Sequence, residues 1–357
     1  MDGVYASAGG AEVITLTLAM LRSFVADRVA AILTLVAPLA FFSLIALFYQ
    51  HLEATDGFRF EIAVVDESGC ADARLFAEAM QSCAMQRVHV SEVHGSELSS
   101  HGVLATVHIP SGFSRTDPRV LVEAASPLPG ASDAALQLVN AANARAFAVD
   151  LPAVTVQVTS LNGMLVRGSA AGIALIFIMF SSASIASRSL GDDASGLQDR
   201  LRSLGVSAAA STAARIVAIS VIAWCQLALT LAWAALAFQL VPGSVLALLF
   251  ASLVASVTSA AFFVALAALC GSRARFVAIA PVITLVLSAL SGSMIPRILL
   301  PTSIASVGGW LFPAWAIDAC SAAIDGRFDG RSIALLAAMS IASTVVALVI
   351  APRSARS

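Results

Sequence analysis

The sequence predicts an α-helical membrane protein with six transmembrane helices and an inserted extracytoplasmic α/β domain. Hydrophobic residues make up 59% of the 357 residues and charged residues only 12%, whereas soluble domains usually carry about 25% charged residues. The mean hydropathy is +0.90. One polar region, residues 51–167, interrupts the apolar runs. A chain this apolar must expose part of its surface to lipid.

Six uncharged runs are long enough to cross a bilayer as helices, which takes about 20 residues each. The predicted spans are 29–50, 168–187, 216–241, 244–270, 276–295 and 332–351. The third and fourth come from one uncharged run of 57 residues between Arg215 and Arg273. At about 1.5 Å per residue that run is far too long for one crossing. Pro242 and Gly243 supply the turn between the two spans.

The distribution of arginine sets the orientation. With six spans and a cytoplasmic N-terminus, the cytoplasmic segments hold Arg22, Arg28, Arg188, Arg200, Arg202, Arg215, Arg273, Arg275, Arg353 and Arg356, as the positive-inside rule requires. Counting the uncharged stretch 298–317 as a seventh span would place the last two outside. We therefore predict that 296–331 is an extracytoplasmic re-entrant segment, broken by Pro301, Gly308 and Pro313.

Residues 51–167 differ in composition from the rest of the chain, with all five His and 13 of the 22 acidic residues. Strands are predicted at 59–66, 87–93, 103–109 and 119–125, and helices at 71–84 and 133–149. This alternation favours a compact α/β domain with a mixed sheet. Its position between the first two spans makes it extracytoplasmic. Residues 1–28 predict a cytoplasmic amphipathic connecting helix, with an extension of the first span as the alternative.

The cysteines and histidines give weak signals. Cys70 and Cys83 lie in the polar domain, where they can form a disulfide in an oxidising compartment and are otherwise free thiols. Cys225, Cys270 and Cys320 are predicted to be small core residues. His89, His94, His101 and His108 lie within 20 residues, but alternation along a strand points the first two to opposite faces. We expect solvated histidines and no metal site.

The chain has no Lys, since all 20 basic residues are Arg. A phosphate-binding loop needs its Lys to reach the β- and γ-phosphates, so any nucleotide hydrolysis belongs to another chain. The net charge of −2 gives no indication of a nucleic-acid partner. The spans carry no charged residue in their interiors, which argues against an ion-coupled carrier. No catalytic constellation is present, and we expect that the chain is not an enzyme.

The segment 188–215 contains a short amphipathic pattern. Leu197, Leu201 and Leu204 share one face of a predicted helix, and Asp192 and Asp193 are placed at its positive N-terminal end. Such a helix can dock into a groove on a partner. The alternative is an ordinary cytoplasmic loop that lies against the membrane.

Four stretches resemble the permease subunit of ABC-2-type (type V) exporters, in the subgroup with a large external domain after the first helix. They are FVADRVAAILTLVAPLAFF (24–42), GVLATVHIPSGFS (102–114), SRSLGDDASGLQDRLRSLGVS (187–207) and SGSMIPRILLPTSIASVGGWLFPAWAIDA (291–319). Their order and spacing cover nearly the whole chain. None is a catalytic motif. The third begins with an Asp pair where the family commonly has Glu.

The resemblance implies a transport subunit of the bacterial cytoplasmic (inner) membrane with both termini cytoplasmic. It implies a partner ATPase that carries ATP and Mg, so that this chain binds no cofactor, and a second permease copy or paralogue. A periplasmic adaptor is a further candidate partner. The implied coupling residues are Asp192, Asp193, Gly196, Leu197, Asp199, Arg200 and Leu201. The implied exit-gate residues are Gly292, Pro296, Pro301, Trp310 and Pro313.

That resemblance predicts a permease that exports a hydrophobic or amphipathic substrate: a drug, a lipid or a lipid-linked molecule. Two alternatives remain. One is a membrane-anchored sensor whose external domain binds a ligand, although six spans exceed what an anchor needs. The other is an ion-coupled carrier, which would work without ATP.

Overall fold

The computed structural model describes residues 2–54, 60–83, 88–93, 103–111, 113, 120–123, 131–147, 164–240, 242–294, 297 and 300–350. Within them the helices are α1 (Asp2–Ala26), α2 (Arg28–Ala54), α3 (Ala71–Cys83), α4 (Ala131–Phe147), α5 (Met164–Ala194), α6 (Leu197–Ser203), α7 (Ala208–Ala237), α8 (Val245–Cys270), α9 (Arg273–Ser291), α10 (Thr302–Gly308), α11 (Phe312–Ile324) and α12 (Gly330–Ile350). The strands are β1 (Phe60–Asp66), β2 (Val88–Val93), β3 (Val103–Ile109) and β4 (Leu121–Glu123). The chain divides into a helical unit and a unit that contains the sheet.

Six of the described helices, namely α2, α5, α7, α8, α9 and α12, are long and apolar enough to cross a membrane. The predicted fold class and number of spans are confirmed. Helix α5 is the most enclosed of the six, since 72% of the residues in its most apolar 18-residue segment are buried. The corresponding share in α2 and in α12 is only 17%. The apolar outer faces of α2 and α12 are therefore available to lipid or to another protein.

Helix α8 is the centre of the helical unit and packs against α7, α9, α11 and α12. Its buried face is rich in Ala and Ser, whose small side chains let helices approach closely in a membrane. Ser259 Oγ donates to Ser182 Oγ of α5 at 3.1 Å, and Thr258 Oγ1 donates to the Leu336 carbonyl of α12 at 3.1 Å. Close packing and these hydrogen bonds together hold α5, α8 and α12.

The predicted turn at Pro242 and Gly243 is confirmed, since α7 ends at Ala237 and α8 begins at Val245. The Gly243 N–H donates to the Ile324 carbonyl at 2.8 Å, at the end of α11. A Cβ at Gly243 would lie 2.6 Å from the Gly326 nitrogen. This close backbone approach requires glycine.

Helix α1 and helix α2 are separate, with the break at Asp27. Asp27 Oδ1 accepts the Ala30 N–H at 3.1 Å and so caps the N-terminus of α2. Helix α1 packs against α7, where Thr17 Oγ1 donates to the Ala214 carbonyl at 3.4 Å. The connecting segment is thus held against the helical unit.

Helix α5 continues through Ala194, past residue 187 where the predicted membrane span ends, because loss of apolar character marks a membrane boundary and does not end a helix. One prediction on buried positions of the helices is wrong. Cys225 is exposed on α7, in contrast to the buried Cys270 and Cys320. It lies on the same outward face as Val217, Val221 and Leu229, which recur at intervals of four residues.

The inserted unit contains a four-stranded mixed sheet in the order β2-β1-β3-β4. Strand β1 pairs in parallel with β2 and β3, and β3 pairs antiparallel with β4. Three consecutive residues of β1, Ile62, Ala63 and Val64, are each 1% exposed, so both faces of this central strand are covered. Helices α3 and α4 pack on each other and on the sheet. The predicted α/β character is confirmed.

Cys70 lies at the N-terminus of α3, where its Sγ accepts the Ala73 N–H at 3.3 Å. The side chain of Cys83 lies outside the described residues, so a disulfide between the two stays a prediction. His94 and His101 also lie outside them. His108 Nδ1 is 3.9 Å from Glu67 Oε1.

Candidate coupling site and exit segment

The connection between α5 and α7 contains the short helix α6. Gly196 precedes it with a φ of 81°, a left-handed conformation that favours glycine and turns the chain from α5 into α6. At the other end, Gly205 has a φ of 87°, and the Ser207 side chain accepts the Ala210 N–H at 3.0 Å to begin α7. Two glycine turns therefore set α6 between two long helices.

Asp192 and Asp193 lie in the last turn of α5, which corrects the prediction that they begin α6. A carboxylate at a helix C-terminus meets the negative end of the helix dipole. Arg215 of α7 offsets this unfavourable interaction by pairing with the Asp193 carboxylate. Its Nη1 donates to Oδ2 at 2.8 Å and its Nη2 donates to Oδ1. The side chains of Arg215 and Asp193 are only 14% and 29% exposed.

The same guanidinium reaches α6. Gln198 Oε1 accepts a hydrogen bond from Arg215 Nη2 at 3.4 Å and another from Ser211 Oγ at 3.2 Å. Arg215 thus joins the end of α5, the first turn of α6 and the first turns of α7. We call Asp193, Gln198 and Arg215 the arginine clamp.

Sequence reasoning missed Gln198 and Arg215. Arg215 served there only as the boundary of an uncharged run and as one of the cytoplasmic arginines. The available signal was an acid just after one apolar run and an Arg just before the next, because such residues meet when the two helices are neighbours at the same membrane surface.

The predicted leucine face of α6 is divided in the structure. Leu197 and Leu201 line a cavity of about 360 Å³ together with residues of α1, α5 and α7. Leu204 lies beyond the end of α6 and is 79% exposed. Asp199 and Arg200 are also exposed. The most exposed part of the surface that α6 offers to a partner is therefore formed by Asp199, Arg200 and Leu204, while Leu201 and part of Leu197, which is 40% exposed, face the chain's own cavity.

A second ion pair ties α5 to the break between α1 and α2. Arg188 Nη1 donates to Asp27 Oδ2 at 3.0 Å. The hydrogen bond from the Ala30 N–H and, less strongly, that from Arg188 hold the pKa of Asp27 below its ordinary value. The pair is therefore complete at neutral pH and is lost only as the pH falls through that lowered pKa.

The family model described as ABC-2 family transporter protein matches residues 29–351. The chain belongs to the ABC-2 transporter family. The match includes all six candidate membrane helices of this permease, the sheet and the α6 connection. Members of this family are membrane components of transporters, and the family implies an ABC ATPase as partner. No curated protein matches the permease in sequence.

In this ABC-2 permease the predicted exit segment contains α10 and α11. Helix α11 has 13 residues, about 20 Å, which is too short to cross a bilayer. It packs against α8, α9 and α12, with the Phe312 ring 5.1 Å from that of Phe262. Pro313 is buried in its first turn. A short apolar helix enclosed by spans is consistent with a re-entrant segment.

The other predicted gate residues have varied surroundings. Gly292 is buried and ends α9 with a φ of 86°. Trp310 is 79% exposed. Pro301 is exposed and its carbonyl accepts the N–H groups of Ile304 and Ala305 at 2.9 Å each, at the start of α10. Pro296 lies outside the described residues. The role of these residues in a gate stays a prediction.

Proposed function

We propose that this permease is the membrane half of an ATP-driven exporter that moves a drug, a lipid or a lipid-linked molecule out of the cytoplasm or the inner leaflet. It works as a dimer with a second permease and with separate ATPase subunits that carry ATP and Mg. The observation that carries the proposal is the arginine clamp, which fixes α6 to α5 and α7 while Leu204 remains 79% exposed.

The clamp supplies the mechanical connection. An ATPase that moves the surface of Asp199, Arg200 and Leu204 displaces α6, and the hydrogen bonds of Arg215 carry that displacement to α5 and α7 together. Both helices then move as packed bodies between two arrangements, because tightly packed interfaces switch rather than deform gradually. The coupling residues of this chain bind no nucleotide themselves.

The composition of the spans supports the proposed cargo class. They contain no charged side chain in their interiors, and the buried polar residues of the helical unit are mainly Ser and Thr. Such a pathway favours apolar or amphipathic molecules over inorganic ions. Together with the family, this favours the exporter over the ion-coupled carrier and the sensor.

We place α6 on the cytoplasmic side of the bacterial inner membrane and the α/β domain on the opposite side. Cysteines introduced by Glu78→Cys on α3 and by Ser203→Cys on α6, in a chain without native cysteines, report this directly, because both positions are exposed. In spheroplasts, a membrane-impermeant maleimide is expected to label the first at once and the second only after permeabilisation. Immediate labelling of the second would reverse the topology.

The docking surface is tested by Leu204→Arg. Leu204 is exposed, so the folded permease is expected to persist while co-purification of the ATPase falls about thirtyfold, which corresponds to the loss of one binding hot spot of about 2 kcal/mol. Quantitative mass spectrometry of the gently solubilised complex measures the ratio of the two chains.

Leu75→Arg, an exposed leucine of α3, is the matched control and is expected to leave that ratio unchanged. An equal ratio for Leu204→Arg would remove this surface as the docking site. If no ATPase accompanies even the native folded chain, the exporter proposal itself fails.

A further inference from the structure

The cavity between α1 and α7 has predominantly apolar walls. Helix α1 contributes Leu16, Met20 and Phe24, and α7 contributes Ile219 and Ile222. The two leucines of α6 close one side. Its volume of about 360 Å³ falls in the range of roughly 300–1,000 Å³ that is usual for small-molecule sites.

Three charged side chains line the cavity: Arg188, Arg215 and Asp192. The two arginines are matched within the chain, because Asp27 holds the first and Asp193 holds the second. The Asp192 carboxylate makes no hydrogen bond or ion pair to any residue that the structure describes. Among the residues that line the cavity, Asp192 is therefore the carboxylate without a described partner; its side chain is exposed and lies next to apolar walls.

We infer that this cavity binds a hydrophobic amine, with the ammonium group at Asp192 and the apolar body between α1 and α7. The unmatched carboxylate selects for positive charge, and the walls select for an alkyl or aromatic body. An anionic amphiphile would place like charge beside Asp192, while both arginines already have their partners. The site lies within a single chain and needs neither nucleotide nor ATPase for binding.

Photo-crosslinking tests the site on the purified native chain in nanodiscs of zwitterionic lipid. Two probes share a twelve-carbon chain with a diazirine, and one ends in a primary amine, the other in a carboxylate. The amine probe is expected to label peptides of α1 and α7 up to about fivefold more than the carboxylate probe, because one solvent-accessible charge pair contributes at most about 1 kcal/mol.

Asp192→Asn is expected to remove this preference, whereas Glu12→Gln, which changes an α1 carboxylate that does not line the cavity, keeps it. Ala218→Leu, at a buried lining position, is expected to reduce labelling by both probes by filling the cavity. Gel filtration confirms that each variant is folded.

Equal labelling by the two probes, or an unchanged preference in Asp192→Asn, would show a groove that any lipid chain occupies and would overturn the proposal. Unchanged labelling in Ala218→Leu would place the cross-link outside the cavity and would also overturn the proposal. Because no ATPase is present, either outcome is independent of whether the chain is an exporter subunit.

Discussion

Arg215→Ala is expected to reduce ATP-driven transport at least about tenfold while leaving ATPase binding intact. The substitution removes the hydrogen bonds by which Arg215 of α7 reaches α5 and α6, and leaves the one from Ser211 of α7 to Gln198 of α6. It also leaves the Asp193 carboxylate, 29% exposed, without its partner at the negative end of α5. The loss of a charged hydrogen-bonding partner at such a site costs about 2 kcal/mol of stability. Motion of α6 is then no longer carried to α5 and α7 together through Arg215.

The measurement is transport by the permease and its ATPase in proteoliposomes, together with the midpoint of thermal unfolding. Arg327→Ala is the matched control, because Arg327 also pairs with an aspartate, Asp325 at 2.9 Å, whose side chain is only 12% exposed. This variant also removes a charged partner from a shielded carboxylate, but outside the α6 connection, so stability is expected to fall as in Arg215→Ala while transport by the folded protein stays near the native rate.

A double-mutant cycle separates coupling from general damage. In the absence of Arg215, Asp193→Ala is expected to have little further effect, since the two residues act through one interaction. Transport by Arg215→Ala within twofold of the native rate would contradict the role of the clamp, whatever its effect on stability.

Gly308→Ala is expected to destabilise the permease by about 3 kcal/mol or more and to lower the yield of folded protein severely. A Cβ at Gly308 would lie 1.7 Å from the Leu290 carbonyl oxygen and 2.7 Å from the Leu290 carbonyl carbon. Both are backbone atoms, so no side-chain rotation relieves the clash. The end of α10 must move away from α9, and overpacking of this kind typically costs 1–3 kcal/mol even where side chains can adjust.

The readout is the yield of monodisperse protein and its thermal midpoint in detergent. Gly10→Ala is the control: no heavy atom lies within 4 Å of its Cβ position on α1, and alanine is favoured over glycine in a helix by about 1 kcal/mol. That variant is expected to be as stable as the native chain or more so. If the two alanine variants have equal midpoints, the close approach of α10 and α9 is not required.

The sequence alone was sufficient for the membrane class, the six spans, the turn at Pro242 and Gly243, and the alternation of strands and helices in 51–167. These features depend on local properties: the length of an uncharged run, a helix-breaking pair, and a change from helical to alternating periodicity. The family followed from the order of its motifs, and the family match confirms it.

The tertiary structure alone decided how the candidate site is built. Three leucines at helical spacing look equivalent in sequence, yet Leu197 and Leu201 line the cavity beside α1 and α7 while Leu204 does not line it and is 79% exposed, because neighbouring helices determine which part of a face is covered. The pairing of Asp193 with Arg215, and the placement of the Asp192 carboxylate beside the cavity, likewise arise where α5 and α7 meet. Local pattern specifies the elements, and only their packing determines which charges are matched.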